Sequence, residues 1–303
     1  MCAKILVIGS SNTDMVIKSE CLPLPGETVI GGKFEIFAGG KGANQAVAAA
    51  RAGGDVTMVT AVGDDTFGSQ TITNLKKEQI NTSLIKIVKG SPSGVALIMV
   101  DKMGENLISV TPGANHCLNP EDIKKINFEN YLYVVLQMEV PLKTVLYAIQ
   151  KSKERGCQVI LNPAPALKLP DDIFPNIDVL IPNRTELQIM VGENIKSQKS
   201  IIESSKLLLK KGVKNIVVTL GSQGVIYINE KGVNKIDAIK VNAIDTVGAG
   251  DCFVGCLATA LSKGREMLDA IRFACAAAAI SVQKPGAQNS LPYLREINQF
   301  AEG

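Results

Sequence analysis

An aspartate at the head of a helix, preceded by two closely spaced glycines, can move a proton beside a phosphate group. The run Asp245-Thr246-Val247-Gly248-Ala249-Gly250-Asp251 joins a predicted strand end to a long apolar helical pattern and offers that combination. Its glycines reach backbone angles closed to other residues and leave amide groups bare. At a helix N-terminus several N–H donors are unpaired and the dipole is positive, which suits an anion. A carboxylate at Asp251 could then take a proton from a hydroxyl while the amides of Gly248, Ala249 and Gly250 hold the charge developing on a transferred phosphoryl group. A capping aspartate after a flexible loop is the plainer alternative. The spacing is neither the Walker pattern nor the dinucleotide fingerprint. Gly39-Gly40-Lys41-Gly42 also lacks the upstream glycine and the Ser/Thr of a P-loop, so that rule gives Lys41 no phosphate role. The single histidine, His116, sits on a polar turn after Thr111-Pro112-Gly113-Ala114-Asn115, which leaves carboxylates to carry any acid–base work.

These residues must be held by elements, and the sequence predicts which. Short apolar β-branched runs at 5–9, 56–62, 132–138, 159–161, 179–181 and 216–220 alternate with helical patterns at 43–52, 67–78, 142–155 and 200–211. Strands that are apolar nearly throughout are buried on both faces, as in a parallel sheet covered by helices. The alternation predicts a doubly wound, mainly parallel α/β fold. Two regions break the rhythm. Residues 15–17 and 28–37 flank a Pro/Gly turn, and 94–100 and 106–110 flank a hairpin signal at 101–105. They have no crossover helices, so they predict a small β-sheet lid, spanning about 14–37 and 94–111, on a single domain of residues 1–303. The final third (248–263, 267–283, 291–300) reads as helical.

Bulk properties exclude other classes. The 303 residues carry a formal charge of +3, too small and dispersed for nucleic-acid binding, and Lys76-Lys77 and Lys210-Lys211 close predicted helices, where cations offset the dipole. Seven cysteines without paired spacing read as free thiols rather than a zinc site. The start lacks the long apolar core of a leader, and no stretch approaches the ~20 apolar residues of a membrane helix. A cytoplasmic protein without membrane partners is the expectation.

The run 245–251 resembles the C-terminal signature of the ribokinase-like, or phosphofructokinase-B, sugar kinases, and Gly39-Gly40-Lys41-Gly42-Ala43-Asn44-Gln45-Ala46 resembles their N-terminal signature. The two stand in the family's order, and the resemblance extends from Gly9-Ser10-Ser11-Asn12-Thr13-Asp14 to Lys284-Pro285-Gly286-Ala287-Gln288-Asn289-Ser290. It implies ATP-dependent phosphorylation of D-ribose to D-ribose 5-phosphate, with Asp251 as general base. By position it assigns the sugar to Asn12, Thr13, Asp14, Gly40, Lys41, Gly42, Ala43, Asn44 and Glu139, together with Asp251. Such a mix of amide, carboxylate and ammonium groups suits hydroxyls, each of which donates and accepts.

The same resemblance assigns the nucleotide to Asn183, to Thr219, Leu220, Gly221, Ser222, Gln223 and Gly224, to Gly248, Ala249 and Gly250, and to Cys275. Without it, 219–224 would read as a hairpin turn. Cys275 stands where relatives often carry histidine or another polar residue, a departure that removes a strong side-chain partner for the base. Glu186 would hold hydrated magnesium, although Asn183 and Glu186 also have capping-box spacing, and both readings are compatible. A potassium site is implied at Asp245, Ser290 and the carbonyls of Val247, Ser281, Lys284 and Gly286; a large, weakly hydrated cation suits carbonyl oxygens. Apolar lid residues such as Val29, Ile30, Leu97 and Ile98 suggest a homodimer through the lids. A kinase of the same family for deoxyribose, fructose or a nucleoside is the nearest alternative. A non-catalytic sugar-binding protein is the alternative of another class, and the intact Asp251 with its glycines argues against it. A dinucleotide oxidoreductase fails for want of a Gly-x-Gly-x-x-Gly after the first strand.

Overall fold

The computed structural model describes residues 3–302; Met1 and Cys2, part of the predicted leader-free start, lie outside them. The apolar runs form an eight-stranded sheet in the order Gly232–Ile236, Val225–Asn229, Asn215–Thr219, Val179–Leu180, Gln158–Leu161, Tyr133–Leu136, Ile5–Ile8, Val56–Val59. Neighbours are parallel from Val56–Val59 through Asn215–Thr219, and the last two strands run antiparallel. The predicted class, a mainly parallel sheet flanked by helices with a small separate sheet, is what the chain adopts.

Burial explains the apolar runs. Ile5, Leu6, Val7 and Ile8 are all fully buried. Ile5 and Val7 face a cluster with the helices Lys41–Arg51, Ala249–Ser262 and Met267–Ser281. Leu6 and Ile8 face the opposite cluster with Val145, Ile149 and Leu208. Alternation between two covered faces is the cause of the near-continuous hydrophobicity. The helices Lys41–Arg51 and Ala249–Ser262 touch closely because Gly255 has no side chain: a Cβ there would lie 2.4 Å from the Gln45 carbonyl oxygen and 2.7 Å from Ala48 Cβ. This contact is what brings the two signature segments together.

The lid is a four-stranded sheet in the order Lys33–Gly39, Asn12–Lys18, Gly94–Val100, Asn106–Thr111. Its strands differ from the predicted ones. Residues 28–32, including Val29 and Ile30, are a loop ahead of the strand rather than part of it, because Gly31 and Gly32 take left-handed angles (φ 113° and 106°). Asn12 pairs with both Gly39 and Gly94, so the lid grows directly out of the ends of core elements. The predicted strand 56–62 also divides: Ala61–Gly63 leaves the main sheet and pairs with Lys86–Val88. Val225–Asn229 is the second strand that a hairpin turn at 219–224 implies, the antiparallel strand Gly232–Ile236 is unforeseen, and the helical reading of 291–300 begins at Leu294. No helix among the described residues is long and apolar enough to cross a membrane.

Candidate active site

In a parallel sheet, ligands are met beyond the carboxyl ends of the strands, at the point where the chain order reverses. Here that point lies between Ile5–Ile8 and Tyr133–Leu136, since the chain visits Val56–Val59 on one side before Tyr133–Leu136 on the other. Ser10, Gln137, Glu139 and Asn162 all follow strand ends at this edge.

Asp251 lies in the first turn of the helix Ala249–Ser262 and is 8% exposed. Gly248 caps that helix at φ 77°, a left-handed conformation that turns the loop onto the helix axis. Beside Gly250 there is open space: nothing lies within 4 Å of where a Cβ would stand. The Gly248 and Gly250 N–H groups have no partner among the described residues, whereas that of Ala249 donates to the Thr246 carbonyl at 3.3 Å. An open space beside unpaired amides at a helix N-terminus fits phosphate oxygens.

Two amides from the helix Lys41–Arg51 hold the carboxylate. Asn44 Nδ2 donates to Asp251 Oδ2 at 2.9 Å, and Gln45 Nε2 donates to Asp251 Oδ1 at 2.9 Å. Burial raises the pKa of Asp251, opposed by Lys41 and by these two hydrogen bonds and reinforced by Glu139. Burial works against the Lys41 ammonium as well, yet the carboxylates of Asp251, Glu139 and Glu186 outweigh it and raise its pKa. Lys41 therefore stays charged among acids, a cation able to face phosphoryl oxygens or a sugar hydroxyl.

Glu139 Oε2 accepts from the Lys41 backbone N–H at 3.0 Å and from the Ser10 hydroxyl. It thereby caps the second helix N-terminus of the site, where Gly40 takes φ 88° and a Cβ would strike Asn12 N and Ser11 Cα, both at 2.7 Å. Asp14 reaches in from the lid. Burial, then the neighbouring Glu139 and Asp251, push its carboxyl up to about 6. The nearest glycine makes room for it: a Cβ on Gly39 would lie 2.1 Å from Asp14 Oδ2. Asn12 is buried and its Oδ1 accepts from Asn115 Nδ2 at 2.9 Å, so its own amide N–H groups are turned the other way. The chain thus brings Asp14, Lys41, Glu139 and Asp251 into one charged cluster with Asn44 bonded to Asp251, while Asn12 lies beside Gly40 and Asn115, and Thr13, Gly42 and Ala43 are buried.

The nucleotide-side residues form an adjoining group. Asn183 and Glu186 make a capping box, Asn183 N–H to Glu186 Oε2 and Glu186 N–H to Asn183 Oδ1, each 2.8 Å. The Glu186 pKa is raised by burial, against the Asn183 amide and Lys41. Its carboxylate therefore borders the same charged cluster, and a single half-buried carboxylate fits a hydrated magnesium ion. Asn183 bridges Thr219, and Arg184 Nη2 donates to Gln223 Oε1 at 2.9 Å, which joins this helix start to the turn Gly221–Gln223. That turn, with Leu220 before it and Gly224 after it, is also the hairpin connection that the residues alone suggest, since Asn215–Thr219 pairs antiparallel with Val225–Asn229. Ser222 is exposed on it. Cys275 stands apart from these contacts. It is half-buried on Met267–Ser281, burial pushes its thiol up to about 11, and it lines a groove of about 940 Å³ with Ile236, Ile239 and Phe273.

Of the residues of the implied cation site, Asp245, Val247 and Gly286 are joined by hydrogen bonds. Asp245 Oδ1 accepts from the Val247 N–H at 2.9 Å and Oδ2 from the Gly286 N–H at 2.8 Å, which ties the glycine loop to the turn after Met267–Ser281. Ser281 and Ser290 are buried with hydroxyls donating to Ala278 O and Ala287 O. The Lys284 ammonium turns away to Glu296 at 2.8 Å. The donor set is one carboxylate with backbone and hydroxyl oxygens, chemistry that fits a monovalent cation better than a divalent one. Among the described residues no three His, Cys, Asp or Glu side chains cluster as metal ligands.

Sequence reasoning missed Ser10, Gln45, Gln137, Asn115 and Asn162. The signal for four of them is polarity where the pattern is apolar: Gln137 and Asn162 end buried strands, Ser10 follows one, and Gln45 sits in an alanine-rich helix face. Asn115 had no such signal, because it lies in a polar turn.

Comparison with known proteins gives consistent results. The model of the pfkB family of carbohydrate kinases matches residues 3–294. A ribokinase of Staphylococcus aureus is 38% identical over 303 residues, covering 99% of this chain and 100% of the relative. A deoxyribokinase of Salmonella typhi is 40% identical over 299 residues, covering 98% of each. A ribokinase of Arabidopsis thaliana, solved in complex with ribose and ATP, shares the fold with a TM-score of 0.93 at 30% identity and full coverage of both chains.

Proposed function

The chain belongs to the pfkB family of carbohydrate kinases, and on that premise we propose that it phosphorylates D-ribose at its primary hydroxyl with ATP, giving D-ribose 5-phosphate. The observation that carries this reading is Asp251: a buried carboxylate at a glycine-led helix N-terminus, held by two amides and facing Lys41. In the reaction the hydroxyl proton passes to Asp251 as the oxygen bonds to the γ-phosphorus and the bond to the ADP oxygen breaks. The amides of Gly248, Ala249 and Gly250 face the charge that develops, and Lys41 adds a cation on the same side. Asn12, Asp14, Gly40, Lys41, Asn44 and Glu139 hold the sugar hydroxyls, with Thr13, Gly42 and Ala43 shaping the backbone around them. Asn44 Oδ1 is buried without a partner, which supports a ligand hydroxyl donating there.

Asn183, the segment 219–224 and Cys275 border the nucleotide in this reading, with Cys275 contributing packing rather than a strong hydrogen bond. Magnesium would neutralise phosphate charge, with Glu186 holding it through water. Potassium would sit against Asp245, Ser290 and the carbonyls of Val247, Ser281, Lys284 and Gly286, stiffening the glycine loop that presents the anion-binding amides. The chain acts in the cytoplasm as one domain with a lid, and the lid closes to exclude the water that would otherwise take the phosphoryl group. Phe34, Ile36, Leu97 and Leu107 share one face of the lid sheet and are half or more exposed, which supports pairing of two lids in a homodimer.

The deoxyribokinase relative keeps deoxyribose as a second reading, since it is about as similar as the ribokinase. A coupled ADP-release assay on ribose, deoxyribose, fructose and adenosine tests the choice. The highest kcat/KM is expected for ribose; a higher value for any other acceptor overturns the substrate assignment, and no turnover on any of the four overturns the activity.

A further inference from the structure

Asp251 is held by two amides that differ in what else they do. Asn44 gives its Nδ2 to Oδ2, but its Oδ1 is buried and unpaired, so Asn44 is the amide with capacity left for a ligand. Gln45 has none left. It is fully buried, and its Nε2 donates to both Asp251 Oδ1 at 2.9 Å and Asn162 Oδ1 at 3.0 Å. Its Oε1 accepts from Gln137 Nε2 at 2.6 Å. Asn162 Nδ2 in turn donates to the Ile181 carbonyl at 2.9 Å.

The polarity of this chain is not arbitrary. Asp251 as a carboxylate is acceptor-only, and the Ile181 carbonyl is acceptor-only, so both ends demand donors. The Asn162 amide must point its nitrogen at Ile181 and its oxygen back toward Gln45. Gln45 must then present its nitrogen to Asn162 and Asp251 together, and its oxygen to Gln137. The orientations of Asn162 and Gln45 are fixed by neighbours whose roles cannot be reversed, and that of Gln137 follows from Gln45, its own Oε1 being buried without a partner. The chain spans the ends of three core strands, Tyr133–Leu136, Gln158–Leu161 and Val179–Leu180, none of which belongs to the lid.

We propose that Gln45 is a positioning residue for phosphoryl transfer: anchored by Gln137 and Asn162 to the rigid sheet, it fixes the carboxylate of Asp251 in orientation and in its ionised form whether or not sugar occupies Asn44. This rests on the reading of Asp251 as the base. Other charged groups facing Asp251 are Lys41, which favours ionisation, and Glu139, Asp14 and Glu186, which disfavour it. All four remain when Gln45 is changed. Loss of the Gln45 donor therefore raises the Asp251 pKa, and because the base works ionised, activity is lost at higher pH than before as the medium is acidified.

The test compares kcat–pH profiles of wild type, Gln45→Met, Gln137→Met and Asp251→Asn with ribose and ATP, alongside both KM values and urea unfolding midpoints. Methionine matches glutamine in length and cannot donate. For Gln45→Met, kcat at neutral pH is expected to fall about 10- to 100-fold, the scale of one hydrogen bond to a charged group. The acid limb of its profile is expected to move to higher pH, with little change in either KM. Gln137→Met, which does not touch Asp251, is expected to give a smaller loss with the limb moved in the same direction. A purely packing role for Gln45 would lower the unfolding midpoint and leave the limb in place, and that outcome overturns the inference. If Gln45→Met does not fold, an unmoved limb in Gln137→Met overturns it instead. A silent Asp251→Asn beside an unaltered Gln45→Met rejects this inference alone; a near-normal Asp251→Asn rejects the base and this inference together.

Discussion

Asp14 should be a residue that the free protein is better off without. It is carried by the lid strand Asn12–Lys18 into a cluster with Glu139 and Asp251, and its pKa is raised from 3.8 to about 6, first by burial and then by those two acids. A carboxyl whose pKa rises on folding binds its proton more tightly in the native state, so its ionisation costs stability increasingly as pH climbs from the unfolded value through the folded one. The difference of about two units corresponds to about 3 kcal/mol at pH 7.5 and shrinks to roughly half of that at pH 5. Asp14→Asn keeps the shape and removes the charge. Urea unfolding of the ligand-free variant should show that stabilisation at pH 7.5 and roughly half of it at pH 5. Its KM for ribose should rise at the same time, since the carboxylate is proposed to accept sugar hydroxyls. A variant less stable than wild type at pH 7.5, or a gain that does not diminish at pH 5, would refute the electrostatic account of this cluster. The trade of stability for a ligand-ready site is a common one.

Two further outcomes are expected. Asn115→Asp places a carboxylate oxygen against Ser11 O and Asn12 Oδ1, which now accept from Asn115 Nδ2 at 3.0 and 2.9 Å; the KM for ribose should rise about tenfold or more with the nucleotide KM unchanged, the scale of a buried hydrogen bond turned repulsive. Replacing potassium by sodium or by a large organic cation in the assay should lower kcat, and equal rates in all three would remove the cation assignment around Asp245.

Much of this arrangement is legible in the sequence because the physics acts locally. The strand Ile5–Ile8 is apolar at every position because both faces are covered, and the helix start at Gly248 declares itself through glycine and acid in fixed order. The lid was readable as strands without crossover helices, although its edges were not: residues 28–32 carry a β-like composition that Gly31 and Gly32 override. The division of 56–62 between two sheets depends on Lys86–Val88 arriving from elsewhere, which no local pattern reports. The amides Gln45, Gln137 and Asn162 belong to the same category. Each is an ordinary polar residue until two helices close over Gly255 and place one of them 2.9 Å from Asp251. Contacts spanning 206 residues of chain leave no trace in spacing.

The central claim is that Asp251 removes the proton of the accepting hydroxyl, and Asp251→Asn tests it most directly because asparagine fills the same space and can still meet the helix N-terminus. Turnover of ribose with saturating ATP, measured beside nucleotide binding by calorimetry, is expected to fall by about two to four orders of magnitude while nucleotide affinity stays near that of wild type. Turnover within a few-fold of wild type would contradict the assignment of Asp251 as the base.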